Sequence, residues 1–224
     1  MEDSLTARVQ RVQETLKRES TPWGRIPKLV AVTKYASPEQ ILPLRELGVT
    51  DIGENRVQVL RDKLPFLNEK FSIHLIGRLQ TNKVKYIIKD VCMIQSVDHL
   101  ALAQEIDRQA GKANRRMPVL LQVNIAREPQ KGGVREEELL PLLKSCAALP
   151  HLQVQGLMAI MPLGAETDTL EALFARMRGL YEMCAAEAVA GTDIRELSMG
   201  MSQDYGLAAR AGATMVRVGS ALFR

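Results

Sequence analysis

The chain has 224 residues, 46% of them hydrophobic and 25% charged, with a formal net charge of +4 and a sequence pI of about 9.0. That composition is long and apolar enough for one substantial core and excludes the disordered and collagen-like classes. Four phenylalanines, four tyrosines and one tryptophan leave no interleaving of basic and aromatic residues, so no nucleic-acid partner is expected. Cys92, Cys146 and Cys184 are far apart and contain no Cys-x-x-Cys, which indicates neither a disulfide framework nor zinc. His74, His99 and His151 stand apart from one another and from acidic pairs, so no protein-bound metal is expected either. Met1-Glu2-Asp3-Ser4 lacks a basic n-region and an apolar h-region, and no stretch is long enough to span a bilayer; the expectation is a cytoplasmic protein with no membrane partner.

In chain order, Leu5, Val9, Val12 and Leu16 recur at helical spacing over residues 3–18, and Thr21-Pro22-Trp23-Gly24 ends that helix. The run Leu29-Val30-Ala31-Val32-Thr33-Lys34 reads as a buried parallel strand that carries one ammonium to its C-terminal end. If Lys34 points into a barrel, so do Val30 and Val32, while Leu29, Ala31 and Thr33 face outward. Ser37-Pro38-Glu39 then caps a helix, with Pro43 interrupting it. A short strand over 49–55 leads to a helix that runs through Leu64 and ends before Pro65. Further strands are predicted over 72–77, 91–96, 118–124, 154–160, 195–199 and 214–218. Helices are predicted between them over 81–89, 98–111, 135–147, 168–189 and 203–211. Lys112, Arg115 and Arg116 fall where a helix ends, a position that favours cations.

Eight strands in strict alternation with helices predict an α/β fold, a closed (β/α)8 TIM barrel with an extra N-terminal helix, as one domain over residues 1–224. An open doubly wound sheet would want a glycine-rich turn after the first strand, and Thr33-Lys34-Tyr35-Ala36-Ser37 is not one. In a barrel, the strand ends carrying Asn55, His74, Asn124, Met158, Ser198 and Arg217 converge on the face where chemistry is done. Arg127-Glu128-Pro129-Gln130-Lys131-Gly132-Gly133 mimics a phosphate loop but lacks its Gly-Lys-Ser/Thr ending, and reads as a mobile rim loop.

Two readings of Lys34 are open: a cation snorkelling from a strand end, or a desolvated amine whose neutral form attacks a carbonyl to give a Schiff base. The loops after strands seven and eight, Leu197 to Asp204 and Val216 to Ser220, lie where barrels bind phosphate. Gly200 and Gly219 let the backbone approach an anion, Ser198, Ser202 and Ser220 offer hydroxyls, and a helix starting near Ser202 aims its N-terminus at the site. Ser202 could equally be a helix cap. Arg217, in an apolar strand, needs an acceptor: a structural carboxylate such as Glu196 or Glu54, or a cofactor. A Schiff-base lysine, a phosphate cup and a buried arginine together suggest pyridoxal 5′-phosphate. An arginine at the ring nitrogen would leave it unprotonated and make the ring a weaker electron sink.

The segments Ala31-Val32-Thr33-Lys34, Gly53-Glu54-Asn55, His74 to Lys83, Gln122-Val123-Asn124, Gly156-Leu157-Met158 and Leu197 to Ser202 resemble the pyridoxal phosphate homeostasis protein family. Its members are similar to the N-terminal barrel domain of alanine racemase. The resemblance implies that Lys34 forms the internal aldimine, that Asn55 and Met199 lie beside the cofactor and that Arg217 meets the ring nitrogen. It implies that Ser202, Gly219 and Ser220 hold the phosphate, with His74 either supporting the site from behind or buried for structural reasons. Arg56 and Ile73 depart from the family, which often has an aromatic and a tryptophan there. The function implied is reversible holding of pyridoxal 5′-phosphate in vitamin B6 and amino-acid homeostasis, as a monomer that hands cofactor to apo-enzymes, with no catalytic residue and little or no turnover. The appended β domain that gives racemases their second base is expected to be missing. The alternatives are a pyridoxal-phosphate-dependent racemase or lyase with Tyr35 or Tyr205 as base, and a cofactor-free Schiff-base aldolase.

Overall fold

The computed structural model describes residues 4–224. Its centre is a closed barrel of eight parallel strands in sequential order, β1 (Lys28–Val32), β2 (Asp51–Glu54), β3 (Ser72–Leu75), β4 (Met93–Val97), β5 (Met117–Val123), β6 (Leu152–Ala159), β7 (Glu196–Ser198) and β8 (Met215–Val218). Around it lie α1 (Leu5–Glu19), α2 (Pro38–Ile41), α3 (Val57–Leu67), α4 (Leu100–Lys112), α5 (Glu136–Ala147), α6 (Thr167–Ala186), α7 (Tyr205–Arg210) and α8 (Ser220–Phe223). This is the predicted closed (β/α)8 barrel, with α1 as the extra helix packed against α7 and α8. No helix among the described residues is long and apolar enough to cross a membrane.

Period-two alternation along each strand separates two cores. Val30, Met93, Leu120, Met158 and Met215 meet inside the barrel. Ala31, Ile52, Leu121, Leu157, Leu197, Val216 and their neighbours face outward into a larger layer shared with the helices. Each fully buried leucine or isoleucine in that layer contributes about 2 kcal/mol from lost apolar surface. Val9, Val12 and Leu16 supply the inner face of α1, and the Ser4 hydroxyl caps it by accepting from the Ala7 amide.

Several boundaries differ from the sequence expectation. Pro43 has no N–H to extend α2, so the chain goes on as a 3-10 turn, Leu42–Arg45. The helix predicted over 81–89 is likewise a 3-10 segment, Thr81–Tyr86. Conversely, α3 continues past Pro65 to Leu67, because Leu60 and Leu67 are fully buried and hold the last turn against the sheet. Each histidine has a single carboxylate neighbour: His74 with Asp51, His99 with Asp98 and His151 with Asp107. The basic group after α4 acts on neighbouring carbonyls, Arg115 donating to Ile88 and Lys89 and Arg116 to Leu152.

Two buried polar clusters flank the barrel wall. Outside it, Lys63 of α3 donates to the Glu54 carboxylate at 2.7 Å and to the Thr33 carbonyl at 2.6 Å, and the Thr33 hydroxyl donates to the same carboxylate oxygen at 2.6 Å. Inside it, His74 Nε2 lies 3.0 Å from Asp51 Oδ1, and Lys28 approaches that carboxylate at 3.4 Å. Burial alone would lower the His74 pKa, but the hydrogen bonds to Asp51 and Cys92 and their charges outweigh it and raise it to about 9. Burial likewise opposes ionisation of Asp51, yet hydrogen bonds from His74 and Thr50 and the charge of Lys28 lower its pKa overall.

Lys63→Ala leaves Glu54 as an uncompensated buried charge and is expected to destabilise the fold by about 3–5 kcal/mol in urea titration. Pairing Glu54→Gln with Lys63→Met should recover most of that loss. The raised His74 pKa contributes stability that is full below about pH 6.5 and is lost as pH rises through about 9. Urea midpoints across that window should therefore fall by the equivalent of about 3 kcal/mol, and the fall should flatten in His74→Gln. Asp51, titrating below that window, adds no slope there.

Candidate functional site

At the C-terminal mouth of the barrel lies a cavity of about 780 Å³, lined on one side by the end of β1 and the turn after it and on the other by the loops after β7 and β8. Val32, Lys34 and Tyr35 come from the first wall, and Met201, Ser202, Asp204, Arg217, Gly219 and Ser220 from the second. The loop after β6, Pro162 to Ala165, and the C-terminal residues Phe223 and Arg224 close the rim.

Lys34 is exposed rather than buried. β1 ends at Val32, and the amine stands in the following turn, 4.8 Å from the centroid of the Tyr35 ring. Arg224 lies over the same ring at 5.6 Å, so Tyr35 carries a cation from each side of the mouth.

Arg217 is the buried cation of the site. Its Nη1 donates to the Ser198 hydroxyl at 2.6 Å and its Nη2 to the Ala159 carbonyl at 2.7 Å. Burial lowers its pKa to about 10, opposed by the charge of Asp204. The expected partners are thus corrected. Glu196 is taken by Arg25 and the Thr214 hydroxyl, and Glu54 faces the outer layer beside Lys63. Burial raises the Asp204 pKa against the pull of the Met201 amide, which donates to it at 2.5 Å, and of Arg217.

The loops after β7 and β8 are stitched together. Ser202 Oγ accepts from the Gly219 amide at 3.0 Å and the Ala221 amide at 3.3 Å, so it is not the cap of α7, whose N-cap is Asp204. Two backbone N–H groups and one hydroxyl thus face one another beside the Ser220 side of the cavity. Gly200 has φ +93°, and a Cβ there would lie 2.4 Å from Ala208 Cβ. At Gly219 a Cβ would meet Val32 Cβ at 3.2 Å, so its absence allows the last loop to close against β1.

Not every expected residue reaches the cavity. Ser198 is fully buried and its hydroxyl donates to Gln95 Oε1 at 2.7 Å, so it offers nothing to a phosphate. Met199 follows on the opposite face of the strand and packs in the outer layer; Met201 lines the cavity instead. His74 lies within the barrel between Asp51 and Gln95. Asn55 closes β2 at the mouth, and its Oδ1 is buried without a hydrogen-bond partner. Met158 belongs to the inner core, and Asn124 holds the 127–133 loop through Glu128 and Lys131. That loop, expected to be mobile, is further tied by Gln122 to Gly132, Asp98 to Gly133 and Lys131 to the Met161 carbonyl, and it does not line the cavity. Tilted strands present their ends at different depths, so residues at strand ends need not share one surface. Gln95, Asp204 and Met201 were not anticipated; the one available signal was a glutamine at an inward position of a buried strand.

The family model for the alanine racemase N-terminal domain matches residues 2–224. A pyridoxal phosphate homeostasis protein of Aquifex aeolicus is 38% identical over 220 residues, 96% of each chain. The PipY protein of Synechococcus elongatus superposes with a TM-score of 0.90 without PLP and 0.88 with PLP bound, at 34% and 33% identity, covering 99% of this chain and 100% of that one in each case. Alanine racemase of Corynebacterium glutamicum shares the fold, with a TM-score of 0.69 at 16% identity over 97% of this chain and 60% of its own. On a match that spans nearly every residue, the chain belongs to the alanine racemase N-terminal domain family, among the pyridoxal phosphate homeostasis proteins.

Proposed function

We propose that this protein binds pyridoxal 5′-phosphate in the mouth cavity, reversibly, as a Schiff base on Lys34, and serves intracellular vitamin B6 and amino-acid homeostasis with little or no catalysis. The observation that carries the reading is one cavity lined by a primary amine, a buried guanidinium and two loops whose serine and backbone amides face one another. The PLP-bound relative supports it.

The residues fit that cofactor. The buried, unpartnered Asn55 Oδ1 is an acceptor that a donor on a ligand would satisfy, and the absence of a side chain at Gly219 leaves the cavity wall there to backbone, which suits a phosphate. The Lys34 amine would condense with the aldehyde, forming one C=N bond and releasing one water. Ser202, Ser220 and the Gly219 amide would hold the phosphate. Arg217, which keeps its proton, would face the ring nitrogen and leave it neutral. Bound in this way, the cofactor supplies an electrophilic imine and a weakened electron sink. Asn55 would lie beside the ring. His74 and Ser198 would act through Arg217 rather than by contact.

Chain contacts near Lys34 argue against efficient proton transfer. Tyr35 is exposed and engaged with two cations, which favours reversible holding over racemisation or lysis. We further propose one binding domain over residues 1–224, a cytoplasmic monomer, and apo-enzymes as recipients of the cofactor.

Purified protein should show a visible absorbance band that borohydride bleaches while attaching the cofactor to Lys34; an adduct on another lysine would sink the assignment. Lys34→Ala should lose the band and keep its thermal unfolding midpoint. Arg217→Gln should weaken cofactor binding about tenfold or more, as expected for loss of a charge-assisted hydrogen bond. Incubation with either enantiomer of alanine should give no sustained inversion, read by chiral chromatography.

A further inference from the structure

The buried interior of the barrel contains a continuous polar chain that the cofactor contacts do not explain. Asp51 opens β2 at the N-terminal end of the barrel, where Lys28 reaches it from solvent. His74 lies 3.0 Å from Asp51, Gln95 Nε2 lies 3.0 Å from His74 Nδ1, Ser198 donates to Gln95 Oε1 at 2.7 Å, and Arg217 donates to Ser198 at 2.6 Å. His74, Gln95, Ser198 and Arg217 are all buried, on β3, β4, β7 and β8. The chain therefore crosses the barrel and joins its N-terminal end to the cavity at its mouth.

Hydrogen bonds along it have a direction. As recorded, Arg217 donates to Ser198, Ser198 to Gln95, Gln95 to His74 and His74 to Asp51, which requires a neutral imidazole. The raised His74 pKa favours the imidazolium at neutral pH, and that state requires the Gln95 carboxamide to turn its oxygen to His74 and its nitrogen to Ser198. A carboxamide satisfies both arrangements, since it carries a donor and an acceptor on one planar group. The Arg217–Ser198 bond survives in either.

We infer that Gln95, backed by His74 and Asp51, is a positioning residue for Arg217: it holds the Ser198 hydroxyl that fixes the guanidinium at the mouth of the barrel. The readings of its role toward bound cofactor rest on the function proposed above; its role toward Arg217 does not. Ser198 is small, and among the described residues only Gln95 and Arg217 bond its hydroxyl. Without the glutamine, Ser198 is free to rotate and Arg217 keeps only the Ala159 carbonyl.

Substituting Gln95 separates this role from packing. Gln95→Met is apolar, unbranched and of similar volume, and a position needed only for packing tolerates it better than a buried acid. Gln95→Glu has the opposite chemistry. Its carboxylate can accept from Ser198 and from protonated His74 together, and its charge is balanced by Arg217 and the imidazolium, with Asp51 already opposed by Lys28. The positioning role therefore predicts the ranking that packing forbids.

The first measurement uses protein without cofactor: the ¹⁵N–¹H guanidinium signals of Arg217, assigned by their loss in Arg217→Lys. Slowly exchanging signals should persist in wild type and Gln95→Glu and collapse into rapid exchange in Gln95→Met. The second is the dissociation constant for pyridoxal 5′-phosphate, read from the visible band. It should rise about tenfold in Gln95→Met and stay within about threefold of wild type in Gln95→Glu. Should Gln95→Met fail to fold, Gln95→Leu takes its place. Unchanged Arg217 signals in the apolar variant, or a larger loss in the glutamate variant, overturn the inference. If no Schiff base forms on Lys34 at all, the function proposed above fails, while the cofactor-free signals still decide the role of Gln95.

Discussion

The structure depends on keeping one guanidinium dry at the open end of a barrel without giving it a carboxylate. Arg217 sits on an otherwise apolar strand, Met215–Val218, where an unsatisfied cation would cost several kcal/mol. A direct ion pair would be the simplest remedy, and the sequence holds buried acids close by. Instead the neighbours are neutral: the Ser198 hydroxyl and the Ala159 carbonyl. Asp204 acts only at longer range, through its charge. Neutral acceptors satisfy two donors while leaving the positive charge unquenched and the remaining N–H groups uncommitted. A guanidinium in that condition is suited to a ligand acceptor that must stay unprotonated.

Strand parity and depth in the barrel together keep the acids away from Arg217: parity for Glu54, and a place at the start of the strand for Asp51 and Glu196. Glu54 stands on the outward face of β2, so its charge is neutralised by Lys63 in the helix layer, and Asp51, at an inward position of the same strand, meets His74. Glu196 is drawn toward Arg25 and Thr214. Each of these three acids thus has its own cation on its own side of the barrel wall. The period of two that sorts the apolar residues into an inner and an outer core also sorts the charges. What remains at the mouth is net positive, with Lys34, Arg217 and Arg224 around a cavity whose only acidic side chain among the described residues is Asp204, whose pKa burial raises. Such a field favours an anionic ligand before any specific contact forms.

How much of this was legible in the sequence follows from the range of the interactions involved. Eight βα units, the extra helix and the inward direction of Val30 depend on periodicity within one segment, and those were readable. Arg217 was recognisable as needing an acceptor because its own strand is apolar. Which acceptor it finds was not readable, since Ser198, Gln95 and His74 come from strands separated in sequence and meet only when the barrel closes. Which of the two readings of Lys34 holds was undecidable for a similar reason: the apolar run before it suggests burial, but the sheet ends two residues earlier and the turn lifts the amine to the surface. Met199 and Met201 illustrate the same limit at finer scale. Two methionines two residues apart should share a face in a strand, yet the left-handed Gly200 between them breaks the alternation and sends one outward and the other to the cavity.

Exposure of Lys34 also bears on what kind of site this is. A lysine committed to fast chemistry is commonly desolvated, so that its neutral form is populated and its surroundings are closed to water. Here the amine sits in an open turn against an exposed tyrosine ring, while the residues that would grip the opposite end of a ligand are rigidly tied: Ser202 to two amides, Arg217 to two oxygens. On the function proposed above, the grip would be built into the far wall and the covalent partner left accessible to solvent. Water reaching an imine on Lys34 would allow its hydrolysis, and the anion site would then set the residence time. An arrangement of that kind suits a protein whose task is to take up and release its ligand more than one whose task is to transform it.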